Sequence, residues 1–344
     1  MQNRMLKTDR FIALKLCVIC AVVYCTTIVL TTLHPYSNFQ KCPTQENIDE
    51  RKVDFNFTFP IEPSHPCDVT VKNGAIIFVF SIQEQFKHRK LARHTWASTL
   101  RERGHRVIFV LSRLKPYNET HSADEAAQFG DILYADVEDN YDNLILKVYA
   151  SLEWAANHCS GATWLGKVDI DTYINPYVLM EAFDSYDQNE TKPMYGDCNP
   201  SNIPIRRPNS KWKVPLAIYP QETFPQYCKG PAYFMPFAQV PDMVRTIERI
   251  AFPMTMEDVY FTGIVAELLN IPRDHREDFQ LSYPYCKCVL SRAVVHLYKA
   301  KHHLLEEMAK CWNKLKSCER SLRCPIETNM TCPYEDRHKI LIKS

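Results

Sequence analysis

The spacing of apolar positions divides this chain into segments of different kinds. From Leu16 to Leu33 there is no charge at all, while Arg4, Lys7, Arg10 and Lys15 crowd ahead of that run. At a rise of about 1.5 Å per residue the run nearly crosses a hydrocarbon core of about 30 Å, and Phe11 to Leu14 lengthen it while Lys15 reaches back to the interface. The pattern predicts a single membrane anchor over 11–33 behind a short tail, 1–10. A cleaved leader is the rival. Its apolar stretch is usually only about 7 to 15 residues, and no small-x-small cleavage pattern follows here. The basic flank precedes the span and no Lys or Arg follows before Lys41, so the tail is expected in the cytosol and the rest in a lumen, a type II topology.

Residues 34–72, rich in Pro, Asn and Phe and without a sustained period, read as a stem. The folded body then begins, over 73–300. "GAIIFVFSI" is a continuous apolar run suited to a strand buried on both faces, and the basic "QEQFKHRKLARHTW" after it is helical. "HRVIFVLSRL" and, after "SADEAAQFG", "DILYADV" are two more such strands. "NLILKVYASLEWAANHC" places Leu144, Val148, Leu152 and Ala155 on one helix face, and "WLGKVDIDTYIN" reads as the next strand. This alternation predicts an α/β domain with a mainly parallel sheet, whose ligands gather at the carboxyl ends of the strands. Past Pro193 the texture changes to short strands, "KWKV" and "YCKGPAYFMP", and helices at "AQVPDMVRTIERI" and "DVYFTGIVAELLNI". This second half is expected to build an acceptor site against the first. A basic, Cys-bearing extension over 301–344 continues as helix and then loop.

Charge narrows the partners little: 41 Lys plus Arg against 40 Asp plus Glu leave no field that recommends nucleic acid. The cysteines say more. Of 14, Cys17, Cys20 and Cys25 lie in the anchor and eleven beyond it, a usage that suits disulfides in an oxidising compartment; the spacings lack the short paired form of a zinc finger. Sequons at Asn56, Asn118, Asn189 and Asn329 are glycosylation acceptors in the same compartment.

The candidate chemistry lies in "GKVDIDTYINP". Side chains two apart on a strand share a face, so Asp169 and Asp171 are expected to stand together while Val168 and Ile170 face the core. A solvated strand face explains such a pair; so does a divalent cation that relieves the repulsion. With only eight glycines and neither GxGxxG nor GxxxxGK[ST], the chain has no backbone cradle of those kinds for phosphates, so a nucleotide enzyme built on it needs a cation.

Six blocks, in order, carry a family resemblance: "RKLARHTW", "FGDILYADVEDNYDNLILKV", "GKVDIDTYIN", "KWKV" with "YPQETFPQYCKGPAYFMP", "EDVYFTGIVAELLNI" and "VVHLYKAKHHLLEEMAKCW". In these the chain resembles the β-1,3-galactosyltransferase family (glycosyltransferase family 31, related to Fringe). The resemblance implies a GT-A-type fold with a Rossmann-like N-terminal half, inverting transfer of galactose or an N-acetylhexosamine from a UDP-sugar to a glycan acceptor on protein or lipid, Mn²⁺ as cofactor, and a type II protein of the Golgi membrane. It assigns Asp171 to the metal, Asp169 to the donor ribose or a metal-bound water, and Asp258 to the base, with Glu257 beside it orienting the acceptor. It sets His296 near the metal. Asp258 and Glu257 also read as acids favouring a helix N-terminus, and His296 as a structural histidine. Arg89 and Arg93 are candidates to face the donor's diphosphate or uridine, with a solvated helix as the bland reading. Trp96, Trp212 and Tyr227 are candidates to stack on a sugar.

The chain departs from the family's DDD at its middle acid, replaced by Ile170. That departure supports the alternative reading: a member without turnover that binds glycan or scaffolds a partner transferase. Whether the chain associates with itself or a partner is left open.

Overall fold

The computed structural model describes residues 57–65, 67–114, 120–186, 192–199, 202–250, 254–281, 292–297 and 303–321, with the side chains of 120, 121 and 318–321 left aside. The expected anchor over 11–33 and all four sequon asparagines fall outside these residues; among the described residues no helix is long and apolar enough to cross a membrane.

Ala75–Phe80 (β1) is buried along its whole length because it lies between two other parallel strands. These are Arg106–Arg113 (β2) on one side and Trp164–Asp169 (β4) on the other, with Ile132–Glu138 (β3) parallel beyond β2. The sheet continues as Met194–Gly196 (β6), Ala232–Pro236 (β7) and Arg273–His275 (β8), in the order β3-β2-β1-β4-β7-β6-β8. The expected parallel pairing therefore holds for the first four strands, while β7 runs antiparallel to both β4 and β6. A smaller sheet pairs Thr172–Ile174 (β5) with Val294–His296 (β10), and β10 with Phe279–Gln280 (β9). The "KWKV" segment is not a strand; only Lys213 bridges, to Ile205.

Helices cover both faces, and one core lies under each. Phe86–His94 (α1), Trp96–Glu102 (α2) and Thr120–Phe129 (α3) come from the first crossovers. Leu144–His158 (α4) buries Val148, Leu152 and Ala155, the stripe that its 3.6-residue period announces. Pro176–Ser185 (α5) starts on Asn175, whose side chain accepts from the amides of Tyr177 and Val178, with Pro176 in the first turn where its missing N–H leaves no bond unmade. Val240–Arg249 (α6) packs on α4. "DVYFTGIVAELLNI" forms a π-helix, Val259–Val265, rather than a regular α-helix, and runs on into the short turn Ala266–Leu268.

Two expected boundaries move. The stem does not extend to residue 72: Phe57, Phe59 and Ile61 pack on the cores, Ile61 bridges Tyr134, and Cys67 is disulfide-bonded to Cys159. An irregular stretch gives no period from which this docking can be read. Nor is the segment after residue 300 wholly an appendage, since Leu304–Ser321 (α7) buries Leu304, Met308, Cys311 and Leu315 against the body. All five cysteines whose side chains are described, Cys67, Cys159, Cys198, Cys228 and Cys311, are disulfide-bonded, with Cys198 joined to Cys228.

Candidate active site

The expected single strand "WLGKVDIDTYIN" is two strands. β4 ends at Asp169, the chain turns at Ile170 and Asp171, and β5 departs into the smaller sheet. Val168 and Ile170 do face the core. The turn, however, gives the two acids different partners. Asp169 points back along β4 to Lys167, with Nζ 2.6 Å from Oδ1. Asp171 turns to His296, which lies beside Thr172 in the β5–β10 pairing, with Nε2 3.3 Å from Oδ2. Both carboxylates remain about one-third open to solvent (33% and 36%). Ile170 is buried in the core and offers no ligand.

Lys167 links Asp169 to a second pair of acids. Opposite it in the β4–β7 register stands Tyr233. The two reach the two oxygens of Glu257: Lys167 Nζ lies 3.0 Å from Oε1, and the Tyr233 hydroxyl donates to Oε2 at 2.8 Å. Lys167 also donates to the Gly230 carbonyl (2.6 Å), and the Gly230 amide donates to Asp258 Oδ2 (3.0 Å). A Cβ at position 230 would sit close against this pair, 3.1 Å from Glu257 Oε1 and 3.4 Å from Asp258 Oδ2. The other Asp258 oxygen accepts from the Val259 amide at 2.9 Å, and Thr262 donates to the Asp258 carbonyl while accepting from the Cys228 amide. The Cys198–Cys228 disulfide thus anchors the segment that positions Gly230. Asp258 does cap the π-helix, as a structural reading of the acid expects, but it does so at the edge of the same cluster that holds Asp169.

Electrostatics separates these groups. Burial works against the charge of Lys167, but Asp169 and Glu257 beside it hold its ammonium above the ordinary lysine value. Burial pushes the Glu257 carboxyl up to about 7 against the pull of Lys167, with Asp258 and Asp169 adding to the rise. Burial also raises Asp258, opposed by the amides of Val259 and Gly230. Burial favours the neutral form of Asp171, yet its hydrogen bond to His296 and the imidazole's charge bring its pKa below the ordinary value; for His296 the same bond outweighs burial and raises it. Asp171 is therefore ionised at neutral pH and Asp258 is a strengthened base.

Two expectations are corrected. Arg89 and Arg93 do not face a donor; both are buried among acids. Arg89 donates to Glu125, Ser81 and the carbonyls of Ile82 and Gln83, and Arg93 to Glu125 and Asp131 while lying over the Phe109 and Phe129 rings. Arg89 has every guanidinium nitrogen engaged and no donor left for a phosphate. Glu125→Ala strands two buried guanidinium groups and is expected to cost about 3–5 kcal/mol, read from the shift of the urea unfolding midpoint. Trp96 and Tyr227 are core residues; of the three stacking candidates only Trp212 is exposed.

Lys167 and Tyr233 are the site residues that motif reading passes over. The rule that pairs Asp169 with Asp171 also sets Lys167 on the Asp169 face of β4, which is the signal available for it. Among the described residues no group of three or more His, Cys, Asp or Glu is arranged to hold a metal ion. Asp171 and His296 offer two donors, a carboxylate and an imidazole. That set fits a cation whose other positions are filled by phosphate oxygens and water.

Comparison with known proteins bears on this arrangement. The family model described as Galactosyltransferase matches residues 87–277, more than half of the chain. The chain belongs to the galactosyltransferase family. It is 28% identical over 313 residues to beta-1,3-galactosyltransferase 5 of Homo sapiens, covering 88% of this chain and 97% of that one. It is 30% identical over 255 residues to the Gorilla gorilla gorilla protein of the same name (73% and 83%), and 26% over 285 residues to beta-1,3-galactosyltransferase 1 of Homo sapiens (81% and 84%). The matched region contains Asp169, Asp171, Glu257 and Asp258, while His296 lies beyond it.

In this galactosyltransferase-family glycosyltransferase the buried Glu257 has a measurable signature. Its folded value, about 7, lies above the ordinary 4.5 of the unfolded chain, so the native state holds its proton over the interval between. Stability from this group is full below about pH 4.5 and is lost as pH rises through 7, a change of about 3 kcal/mol. Glu257→Gln removes that titration. Urea unfolding from pH 5 to 8 is expected to show a variant less stable at the start but with a shallower decline than the wild type.

Proposed function

We propose that the chain is an inverting, Mn²⁺-dependent β-1,3-glycosyltransferase of the GT-A type that moves galactose or an N-acetylhexosamine from a UDP-sugar to a glycan acceptor. It acts as a type II protein of the Golgi membrane, anchored through residues 11–33. The observation that carries the reading is the linked set Asp169–Lys167–Glu257 and Gly230–Asp258 at the carboxyl end of β4, with the Asp171–His296 pair one turn away. The placing agrees with the rule that open α/β sheets bind ligands at the carboxyl ends of their strands.

The acceptor hydroxyl attacks the anomeric carbon of the donor while Asp258 takes its proton. A new glycosidic C–O bond forms, the bond from that carbon to the β-phosphate oxygen breaks, and UDP leaves with the electron pair. Attack from the face opposite the leaving group inverts the centre. The hydroxyl is a poor nucleophile until its proton is accepted, so the elevated basicity of Asp258 is useful here. Glu257, fixed by Lys167 and Tyr233, orients the acceptor, and Asp169 holds the donor ribose. Asp171 and His296 are the residues to hold Mn²⁺, which when bound neutralises charge on the departing diphosphate. Ile170 is buried in the core and offers no ligand, so the catalytic reading draws only on Asp169, Asp171, His296, Glu257 and Asp258.

Asp171→Ala tests the metal assignment apart from turnover. The electron paramagnetic resonance signal of free Mn²⁺, titrated with full-length protein and UDP, is expected to fall with the wild type and to fall at least about tenfold less readily with the variant. Equal binding by the two would reject Asp171 as the ligand.

A further inference from the structure

The loop after β3 and the loop carrying Trp212 meet at one point. Tyr141 follows Asp139, which is paired with Lys147 at 2.9 Å; Lys147 donates in turn to the Ser81 carbonyl at the carboxyl end of β1 (2.8 Å). The Asn140 side chain accepts from the Asn143 amide at 2.8 Å, closing the turn around Tyr141. The second loop is held by Arg206, which donates to the carbonyls of Val214 (2.6 Å) and Gln221 (2.8 Å), and by the bridge between Ile205 and Lys213. Lys211 spans the gap, its Nζ 4.5 Å from the Trp212 ring centroid and 5.7 Å from that of Tyr141.

Both rings are open to solvent, Tyr141 at 45% and Trp212 at 46%, whereas Trp96, Trp154 and Trp164 are wholly buried. Neither is a core aromatic. Burial lifts the Tyr141 hydroxyl to about 12, and the charges of Asp258, Glu257 and Asp169 add to the rise. Two braced, exposed rings are thus joined by one ammonium, and the loop carrying Tyr141 leaves β3 and is tied through Asp139 and Lys147 to the carboxyl end of β1.

We propose that Tyr141, Lys211 and Trp212 form an acceptor subsite for a neutral pyranose, whose apolar C–H face lies on the rings while a free hydroxyl reaches Asp258. A pyranose suits the site because it presents an apolar face to aromatics and hydroxyls to the Lys211 ammonium and the acids. The acid cluster disfavours an anionic acceptor on charge alone. This inference rests on the glycosyl-transfer reading and names the substrate class on its acceptor side.

The test uses the full-length protein, with the methyl glycosides of β-galactose, β-N-acetylglucosamine and α-N-acetylgalactosamine as probes. Trp212→Ala is expected to raise the KM of whichever probe is glycosylated by about tenfold, with donor KM unchanged, and Trp212→Phe to recover most of the loss. Tyr141→Ala is expected to act in the same direction. Without donor, saturation-transfer NMR is expected to show contact to the probe's ring protons in the wild type and its weakening in Trp212→Ala. Unchanged acceptor KM and NMR contact in both alanine variants would overturn the subsite. A wild type that transfers to no probe, yet shows Trp212-dependent contact, would remove the transfer reading and leave the sugar subsite standing.

Discussion

Asp258→Asn is expected to lower kcat for sugar transfer by about 10²–10⁴-fold while leaving the donor KM close to that of the wild type. The substitution is nearly isosteric. Its amide oxygen keeps one of the two backbone hydrogen bonds, from Gly230 or Val259, so the loop stays in place while the proposed proton acceptor is lost. Initial rates over a matrix of donor and acceptor concentrations separate the two parameters, and calorimetry with UDP checks that the donor side is intact. A variant that keeps the wild-type kcat would take the base role away from Asp258.

The second large effect is expected at Lys167. Its Nζ touches Asp169, Glu257 and the Gly230 carbonyl from a position only 2% exposed. Lys167→Met keeps the length and removes the charge, stranding two carboxylates that share one cation. A loss of about 3–5 kcal/mol in urea unfolding is expected, because a buried charge without its partner keeps its desolvation penalty. Activity is expected to fall in both parameters, since Asp169, proposed to hold the donor, and Gly230, which holds Asp258, are freed together. The double variant Lys167→Met with Glu257→Gln separates this from general damage. Removing both partners is expected to be milder than the sum of the single losses by about 1 kcal/mol or more. Strict additivity would mean that the contact between Lys167 and Glu257 contributes nothing.

The first half of the fold is legible in the sequence because its elements follow simple periods. Continuous apolar runs make β1 and β2, and the stripe Leu144, Val148, Leu152 and Ala155 makes α4. The break after Asp169 is not legible. Alternation continues through the turn, with Val168 and Ile170 both buried, so the pattern of one strand also fits two. Nothing local tells that Asp171 will leave Asp169 for His296, a residue far along the chain. Lys167 is hidden by the same limit: a lysine among alternating residues reads as solvated until Glu257 and Gly230, brought by β7 and the π-helix, cover it. Arg89 and Arg93 mislead in the opposite direction. A basic helix face reads as solvent or phosphate contact, and only the fold brings Glu125 and Asp131 against it. Asp169, Asp171, Glu257 and Asp258 are legible as acids in family blocks, but the division of their roles rests on partners far from them in the chain.

The most direct measurement is UDP release by the purified full-length protein, followed with UDP-galactose, UDP-N-acetylglucosamine and UDP-N-acetylgalactosamine, each with and without a glycan acceptor, in Mn²⁺ and in EDTA. At least one donor is expected to give acceptor-dependent UDP release in Mn²⁺ that EDTA abolishes. UDP release from none of the donors in Mn²⁺, by a protein that still binds UDP, would contradict glycosyl transfer and leave a binding protein built on a galactosyltransferase fold.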